Sequence, residues 1–375
     1  VSADPATQQD DHLARALELA ARARRAAVSP NPLVGAVIVR DGETIGEGFH
    51  ARVGDLHAER AAIDDCRRRG NVPAGATMFV SLEPCGHSGR QPPCAEAILE
   101  ARLARVVYAS DDPSEKASGR GPGMLRDGGV EIDQAAGEQA AAARLLNQPF
   151  RKHARTGRPL VMLKMAASLD GFVATADGDS KWISGESSRE LVHRWRAEAD
   201  AVAVGIGTAL ADDPLLTARD VDAVRQPARV VFDSEARLPL DSRLVESVGE
   251  APLFIVIGPG ADSGRAGELE RAGGELVVVA GRDRSDRIAA ALSELGRREV
   301  TSLLLEGGPV LAGSFAAAGA VDELRMFVAP LLLGGGRAPL EGPGAGAIAE
   351  APRALSLESE PSGDDLLIRA RLREW

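Results

Sequence analysis

After residue 159 the chain is a succession of short apolar runs: "LVMLKMA", "ADAVAVGIG", "ARVVFDS", "PLFIVIG", "ELVVVAG", "TSLLLEGG" and "ELRMFVAPLLLGG". Several are separated by stretches of helical composition, such as 187–199 and 285–295. Runs this short, apolar on both faces and alternating with helices, are the strands of a largely parallel sheet covered by helices. That restricts this part of the chain to an α/β layer.

The preceding part has another order. Leu13, Leu17 and Ala20 recur at helical spacing, which predicts a helix over 10–27. "LVGAVIVRDGETIGEGFH" reads as a hairpin turned at Asp41-Gly42. A helix over 57–69, a strand at "ATMFVSLEP", a helix over 93–101 and a strand at "ARVVYAS" follow, and "VEI" with a helix in "AAGEQAAAARLLN" closes the pattern near residue 147. This too predicts a layered α/β domain.

A chain of 375 residues is long enough for two cores. The stretch "QPFRKHARTGRP" is polar, basic and broken by proline and glycine, which is linker chemistry, so the seam is expected there, with domains over 1–150 and 151–375. Neither half repeats the other, so two different chemistries are expected. "VSADPATQQ" and the Ala/Gly/Pro-rich tail after residue 340 are expected to be partly disordered.

Composition narrows the function. The 55 acidic and 44 basic side chains leave a net charge of −11, which opposes binding to nucleic-acid backbones and membrane surfaces. Aromatic residues, at 3%, offer few stacking platforms for single strands. No apolar run approaches the ~18 residues needed to span a bilayer, and the N-terminus lacks the order of a signal peptide. Three cysteines are no disulfide framework, so a reducing, cytoplasmic location is expected.

Three clusters in the first half carry chemistry: "HAE" at 57–59, "PC" at 84–85 and "PPC" at 92–94. A catalytic zinc takes three protein ligands and keeps a fourth position open, and one imidazole with two thiolates suits it. His57, Cys85 and Cys94 supply that set. Cys94 opens a helix, where backbone N–H groups favour a thiolate. Glu59, at the start of the helix that follows His57, would take a proton from the attacking water and pass it to a leaving amine. The nucleobase-deaminase pattern is H-x-E followed by P-C-x-x-C, and here the cysteines are separated by eight intervening residues instead of two. A closed, purely structural zinc would need a fourth ligand, for which His87 is the nearby candidate. Cys66 has no partner motif and is read as inert.

In the second half "VGIGTALADDP" is not a G-x-G-x-x-G fingerprint, because position 210 is Leu. The preceding strand delivers Thr208, Asp212 and Asp213 to its C-terminal edge, where open α/β sheets bind ligands. "LLLEGGPVLAGSF" repeats the arrangement with Glu306, two glycines and a helix N-terminus suited to a phosphate or amide.

"NPLVGAVIV", "HAERAA" and "LEPCGHSGRQPPCAEAI" resemble the deaminase half of the bifunctional deaminase/reductase family of riboflavin biosynthesis, whose longer cysteine spacing they match. "RPLVMLKMAASLDGFVA", "SKWISG", "HRWRAEADAVAVGIGTALADDPLLTAR" and "LLLEGGP" resemble its reductase half, in the same domain order. The resemblance implies a cytidine-deaminase-like domain followed by a dihydrofolate-reductase-like domain. It implies one Zn2+ held by His57, Cys85 and Cys94, with Glu59 as proton shuttle. Asn31, His50, His87 and Arg90 would meet the pyrimidine substrate. Asp112 matches a substrate-contacting segment in which Ser114 and Glu115 depart from the family pattern. NADPH contacts would fall on Ala166, Trp182, Thr208, Asp212, Ser234 and the 307–314 loop, including Gly307, Gly308 and Ser314. Substrate contacts would fall on Lys164, Ser180, Arg196, Leu216, Arg219 and Glu306, with Arg196 and Arg219 as phosphate anchors. Spacing from Thr208 favours Asp212 over Asp213, and Asp212, Lys164 and Glu306 would handle protons. The implied substrate is a small pyrimidine ribosylamine phosphate, deaminated first and then reduced from a ribosyl to a ribityl chain. A homo-oligomer is compatible with the sequence. A deaminase of tRNA or free nucleosides, and a zinc-stabilised module without catalysis, are the competing readings; the C-x8-C spacing opposes the first and Glu59 the second.

Overall fold

The computed structural model describes residues 5–88 and 91–375. The chain separates into two compact units, one reaching to Thr156 and also taking in Trp375, the other Gly157–Glu374.

The first unit opens with α1 (Pro5–Ala21) and the short α2 (Arg25–Val28), so the expected first helix is broken after Ala21. The hairpin follows as β1 (Gly35–Arg40) and β2 (Glu43–Phe49). Its turn residues Asp41 and Gly42 have φ of 51° and 81°, the two positive values that a tight hairpin turn requires. Next come α3 (Ala58–Arg68), β3 (Thr77–Leu82), α4 (Cys94–Glu100), β4 (Arg105–Ser110), α5 (Arg120–Asp127), β5 (Glu131–Gln134), α6 (Gly137–Leu146) and α7 (Gln148–Thr156).

The sheet runs β2-β1-β3-β4-β5. β1 is antiparallel to both its neighbours, and β3, β4 and β5 are parallel. Alternate residues of β1 serve opposite faces, as the pleat demands. Ile38 packs with Met78, Val80, Ile63 and Ile98, while Val37 packs with Leu13, Phe79 and Val107. Fully burying a side chain such as Ile98 contributes roughly 1.5–3 kcal/mol, and this fixes α3 and α4, whose first residues carry the candidate ligands, against one face.

The stretch expected to be a linker is helix α7 over most of its length. Its basic residues suggest solvent, yet Arg151 and Lys152 are 1% and 4% exposed. The physical reason is that Arg151 has hydrogen-bond partners on every side, which composition cannot reveal.

The second unit comprises β6 (Leu160–Ser168), α8 (Glu186–Glu198), β7 (Ala201–Gly205), α9 (Ile206–Asp212), β8 (Ala228–Phe232), α10 (Arg243–Glu246), β9 (Leu253–Ile257), α11 (Ser263–Arg271), β10 (Glu275–Val278), α12 (Arg284–Arg297), β11 (Ser302–Leu305), α13 (Pro309–Ala317), β12 (Glu323–Ala329), β13 (Ser356–Ser362) and β14 (Asp365–Arg371). Strand order is β10-β9-β8-β7-β11-β6-β12-β14-β13. From β10 to β12 every pairing is parallel; β14 and β13 are antiparallel additions. The tail, expected to be partly disordered, therefore completes the sheet. Its Ala/Gly/Pro-rich part ends before residue 356, and beyond it Leu367 and Ala370 are buried on the pairing with β12.

β11 lies between β7 and β6, and all three are parallel. The C-terminal ends of β7 and β11, which lead into α9 and Glu306, thereby lie beside the middle of β6, where Lys164 stands. The opposite ends of β7 and β11 are locked by Asp200, 3% exposed. Its carboxylate accepts from Thr301 N and Oγ1 (2.9 and 2.6 Å) and from Ser302 N and Oγ (3.0 and 3.1 Å), and it pairs with Arg225. Asp200→Ala would strand those donors, and we expect it to lower unfolding stability by about 3–5 kcal/mol in denaturant titrations.

Candidate active sites

In the first unit the three expected ligands come from three elements. His57 caps the N-terminus of α3, Cys85 follows the end of β3 through Glu83 and Pro84, and Cys94 is the first residue of α4. Their ligand atoms lie within 4.8 Å of one another, the one such group of three or more His, Cys, Asp or Glu among the described residues. His57 Nδ1 is 3.3 Å from Cys94 Sγ and 3.7 Å from Cys85 Sγ. A tetrahedral zinc with ordinary bond lengths requires N···S edges of about 3.5 Å, so these side chains fit the ion without rearrangement. His87 is not in the group, which leaves the fourth position open.

The charges fit a metal as well. Cys85 is pulled well below an ordinary thiol, because Cys94 donates to its sulfur through its side chain and its backbone N–H (3.3 Å), with His57 adding to the effect. Cys94, facing that thiolate, is pushed up. A divalent cation supplies the charge that lets both ionise together. Glu59, in the first turn of α3, is 3% exposed. Burial, reinforced by the Cys85 thiolate, pushes its carboxyl up to about 7.

Asn31 and His50, far from these motifs in sequence, meet here. His50 Nδ1 donates to Leu56 O (3.1 Å), which leaves Nε2 to accept from Asn31 Nδ2 (3.1 Å). Burial, with His57 adding its charge, lowers the His50 pKa, so this imidazole is neutral. Its ring stands edge-on to that of His57, 5.4 Å away. A cavity of about 510 Å3 is lined by Phe49, Ala51, Asp55, Leu56 and Gln91, among others. Gln91 donates to the carbonyls of Gly54 (3.2 Å) and Asp55 (2.7 Å), tying the segment between the cysteines to the loop before α3. Arg90 lies outside the described residues.

Glu83 is a site residue that sequence reasoning missed. It is 6% exposed, and its carboxylate accepts from Gly119 N (2.6 Å) and Asp112 N (3.4 Å). It folds the 112–119 loop back over the end of β3. Asp112 is 7% exposed, accepts from Ser114 N (2.8 Å), and is raised in pKa by burial; the charge of His87 acts on it in the opposite sense. The start of α5, just after this loop, is close-packed: a Cβ at Gly121 would lie 1.7 Å from the Pro84 carbonyl oxygen. The signal for Glu83 was its place beside Pro84-Cys85, but its role depends on a distant loop.

In the second unit Lys164, Glu306 and Arg196 form one charged cluster. Arg196 grips Glu306 with Nε (2.6 Å) and Nη2 (2.8 Å), while Nη1 donates to Thr217 O (3.2 Å). This guanidinium is therefore engaged by a carboxylate and a backbone carbonyl. Burial works to raise the Glu306 pKa, but Arg196 and Lys164 outweigh it and hold the carboxyl below its usual value. Burial lowers the Lys164 pKa, opposed by Glu306 and reinforced by Arg196. Asp212 stands apart from this cluster, in an ion pair with Lys181 Nζ (2.7 Å). Asp213 instead accepts from Arg243 N (2.9 Å) at the start of α10, which makes it a structural cap.

Thr208 faces the paired glycines, its Oγ1 3.2 Å from where a Cβ at Gly308 would stand. The two glycine turns thus meet at one edge, with the N-terminus of α13 behind them. Trp182 is 71% exposed on the same loop as the exposed Ser180, and Arg189 stacks 5.0 Å from its ring. Ala166 is half-buried on β6, and Ser234 is exposed just past β8. Leu216 is only 2% exposed, and the Ser314 hydroxyl is taken up by Val310 O (2.7 Å), so neither side chain is directed at a ligand. Arg219 donates from its backbone to His193 Nδ1 (3.2 Å) and from Nη1 to Thr217 Oγ1 (3.2 Å). Burial, Arg196 and Arg243 lower its pKa, outweighing the opposing charges of Asp220 and Glu306. His193, which sequence reasoning also missed, lies three residues before Arg196 on α8.

Comparison with known proteins covers both units. Residues 6–110 match the cytidine and deoxycytidylate deaminase zinc-binding region, and residues 159–368 match the RibD C-terminal domain. The chain is 38% identical over 360 residues to riboflavin biosynthesis protein RibD of Actinobacillus pleuropneumoniae, covering 96% of this chain and 94% of that one. Among solved structures, Acinetobacter baumannii RibD is 35% identical with a TM-score of 0.85, covering 98% of this chain and 99% of that one. A diaminohydroxyphosphoribosylaminopyrimidine deaminase/5-amino-6-(5-phosphoribosylamino)uracil reductase of Thermotoga maritima is 32% identical with a TM-score of 0.83, at the same coverage. Similarity of this depth, running through both units from end to end, means that the chain belongs to the RibD family of riboflavin biosynthesis proteins.

Proposed function

We propose that the chain carries out two successive reactions on one small pyrimidine ribosylamine phosphate: hydrolytic deamination in the first unit and reduction of the ribosyl group in the second. The observation that carries the reading is the meeting of His57, Cys85 and Cys94 with the buried, non-ligating carboxyl of Glu59. Zinc, held by His57, Cys85 and Cys94, would supply an activated water, and NADPH, held at the glycine edge of the second unit, would supply hydride.

The remaining work falls to side chains. Glu59, its carboxyl near 7, takes a proton from the water that adds to the amino-bearing carbon and returns it to the departing ammonia. His50, neutral and fixed by Leu56, orients Asn31 toward the ring. Asp112, its backbone held by Glu83 two residues before Cys85, is the residue of the 112–119 loop that would meet the substrate.

In the second unit the sugar C–O bond opens as hydride reaches the same carbon, and the freed oxygen needs a proton. Lys164 is the donor best placed by chemistry, since burial weakens its hold on that proton. Glu306, kept ionised by Arg196, holds the ammonium in place. Arg219 and His193 are the anchor for the phosphate, with Arg196 serving Glu306. Thr208, Asp212, Gly307 and Gly308 line the cofactor edge, where two glycines let phosphate approach the backbone.

The test is to supply purified chain with zinc, NADPH and the diaminopyrimidine ribosylamine phosphate, following ammonia and NADPH together. Cys85→Ser is expected to lower bound zinc well below one per chain by elemental analysis. Ammonia release should fall with it, while NADPH oxidation on the deaminated substrate continues.

A further inference from the structure

One buried cation of the first unit has no place in this chemistry. Arg151, on α7, is 1% exposed, and its donors are all engaged. Nε donates to Trp375 O (2.7 Å), and Nη1 to Ser110 Oγ (3.0 Å) and Asp111 O (2.8 Å). Nη2 reaches the Asp111 carboxylate at 3.1 and 3.3 Å. Ser110 ends β4, and Asp111 and then Asp112 follow; the Asp112 backbone N–H is bound by Glu83, two residues before Cys85. Trp375 is itself pinned. Gln148 donates to its carbonyl (3.1 Å) and accepts from its N–H (2.8 Å), and Lys152 Nζ lies 5.3 Å from the indole centroid. Although the residues before it belong to the second unit, Trp375 packs with the first.

These contacts run from residue 375 through Arg151 to the Ser110–Asp111–Asp112 segment and Glu83, two residues before the proposed ligand Cys85. We propose that Trp375 is a positioning residue for deamination: it completes the shell of Arg151, which in turn fixes the Ser110–Asp111–Asp112 turn against Glu83. Without the indole that packs against Lys152, residue 375 would no longer hold its carbonyl on the buried guanidinium, which would lose one of its acceptors and draw Asp111 out of place. The inference rests on the deaminase reading given above.

The test compares the full chain with Trp375→Ala, Trp375→Phe and removal of residue 375. KM and kcat are measured for ammonia release, NADPH oxidation is measured on the deaminated substrate, and bound zinc is measured directly. Trp375→Ala and the removal are expected to raise the KM of ammonia release by about tenfold, or about 1.4 kcal/mol, with kcat, zinc content and NADPH oxidation little changed. Trp375→Phe should restore most of the loss. An unchanged KM in both the alanine and the shortened chain would overturn the proposal. So would a parallel fall in both activities and in melting temperature, which marks a purely structural anchor. If the unaltered chain released no ammonia at all, the deaminase reading would fail, and this inference with it.

Discussion

Glu59→Gln is expected to slow ammonia release by roughly 10²–10⁴-fold, the range that one positioned acid/base group contributes, while the chain keeps its zinc. The glutamine has the same shape, and position 59 is buried, so the site around it has no reason to collapse. What disappears is a group able to accept a proton from water and give it up to an amine. Retained zinc separates this outcome from that of Cys85→Ser, where metal and activity fall together. Since Glu59 is no member of the ligand group, a loss of zinc in Glu59→Gln would mean that its role is structural.

The second large effect is expected at Lys164. Lys164→Met keeps the aliphatic stem on β6 and removes the ammonium, and NADPH oxidation on the deaminated substrate should fall by roughly 10²-fold or more. Stability should change little, because Glu306 retains Arg196. Glu306→Gln is a contrasting case: it leaves the Arg196 guanidinium, half-buried between α8 and β11, without its charge partner, and should lower stability along with activity. If Lys164→Met left NADPH oxidation intact, the proton would have to come from elsewhere, with Asp212 and its partner Lys181 the next place to look.

Much of this molecule was legible before any coordinates. The strands of the second unit announce themselves as apolar runs because they are buried on both faces, and the hairpin at Asp41-Gly42 is set by local turn chemistry. The zinc group was legible because ligand chemistry demands particular side chains, which the sequence places beside elements that can be predicted. What escaped depends on long-range partners. α7 reads as linker because nothing local says that Arg151 will find Ser110, Asp111 and Trp375. β13 and β14 were hidden behind a glycine- and proline-rich stretch, and they become strands only because β14 pairs onto β12 and β13 onto β14. Arg196 looked like a phosphate anchor because arginine commonly is one; its pairing with Glu306 follows from β11 ending beside α8. Glu83 was passed over for the same reason, since its partners lie on a loop that returns from residues 112–119.

The central claim is that one chain holds two separable active sites acting in order on the same molecule. Its most direct test is to give the unaltered chain and Glu59→Gln both the diaminopyrimidine ribosylamine phosphate and its deaminated product, with zinc and NADPH present, and to measure ammonia and NADPH oxidation for each. The account predicts that the unaltered chain releases one ammonia for each NADPH oxidised on the first compound. Glu59→Gln should lose both signals on that compound, yet oxidise NADPH at the normal rate on the second. Undiminished ammonia release by Glu59→Gln, or failure of the unaltered chain to oxidise NADPH on the deaminated compound, would contradict it.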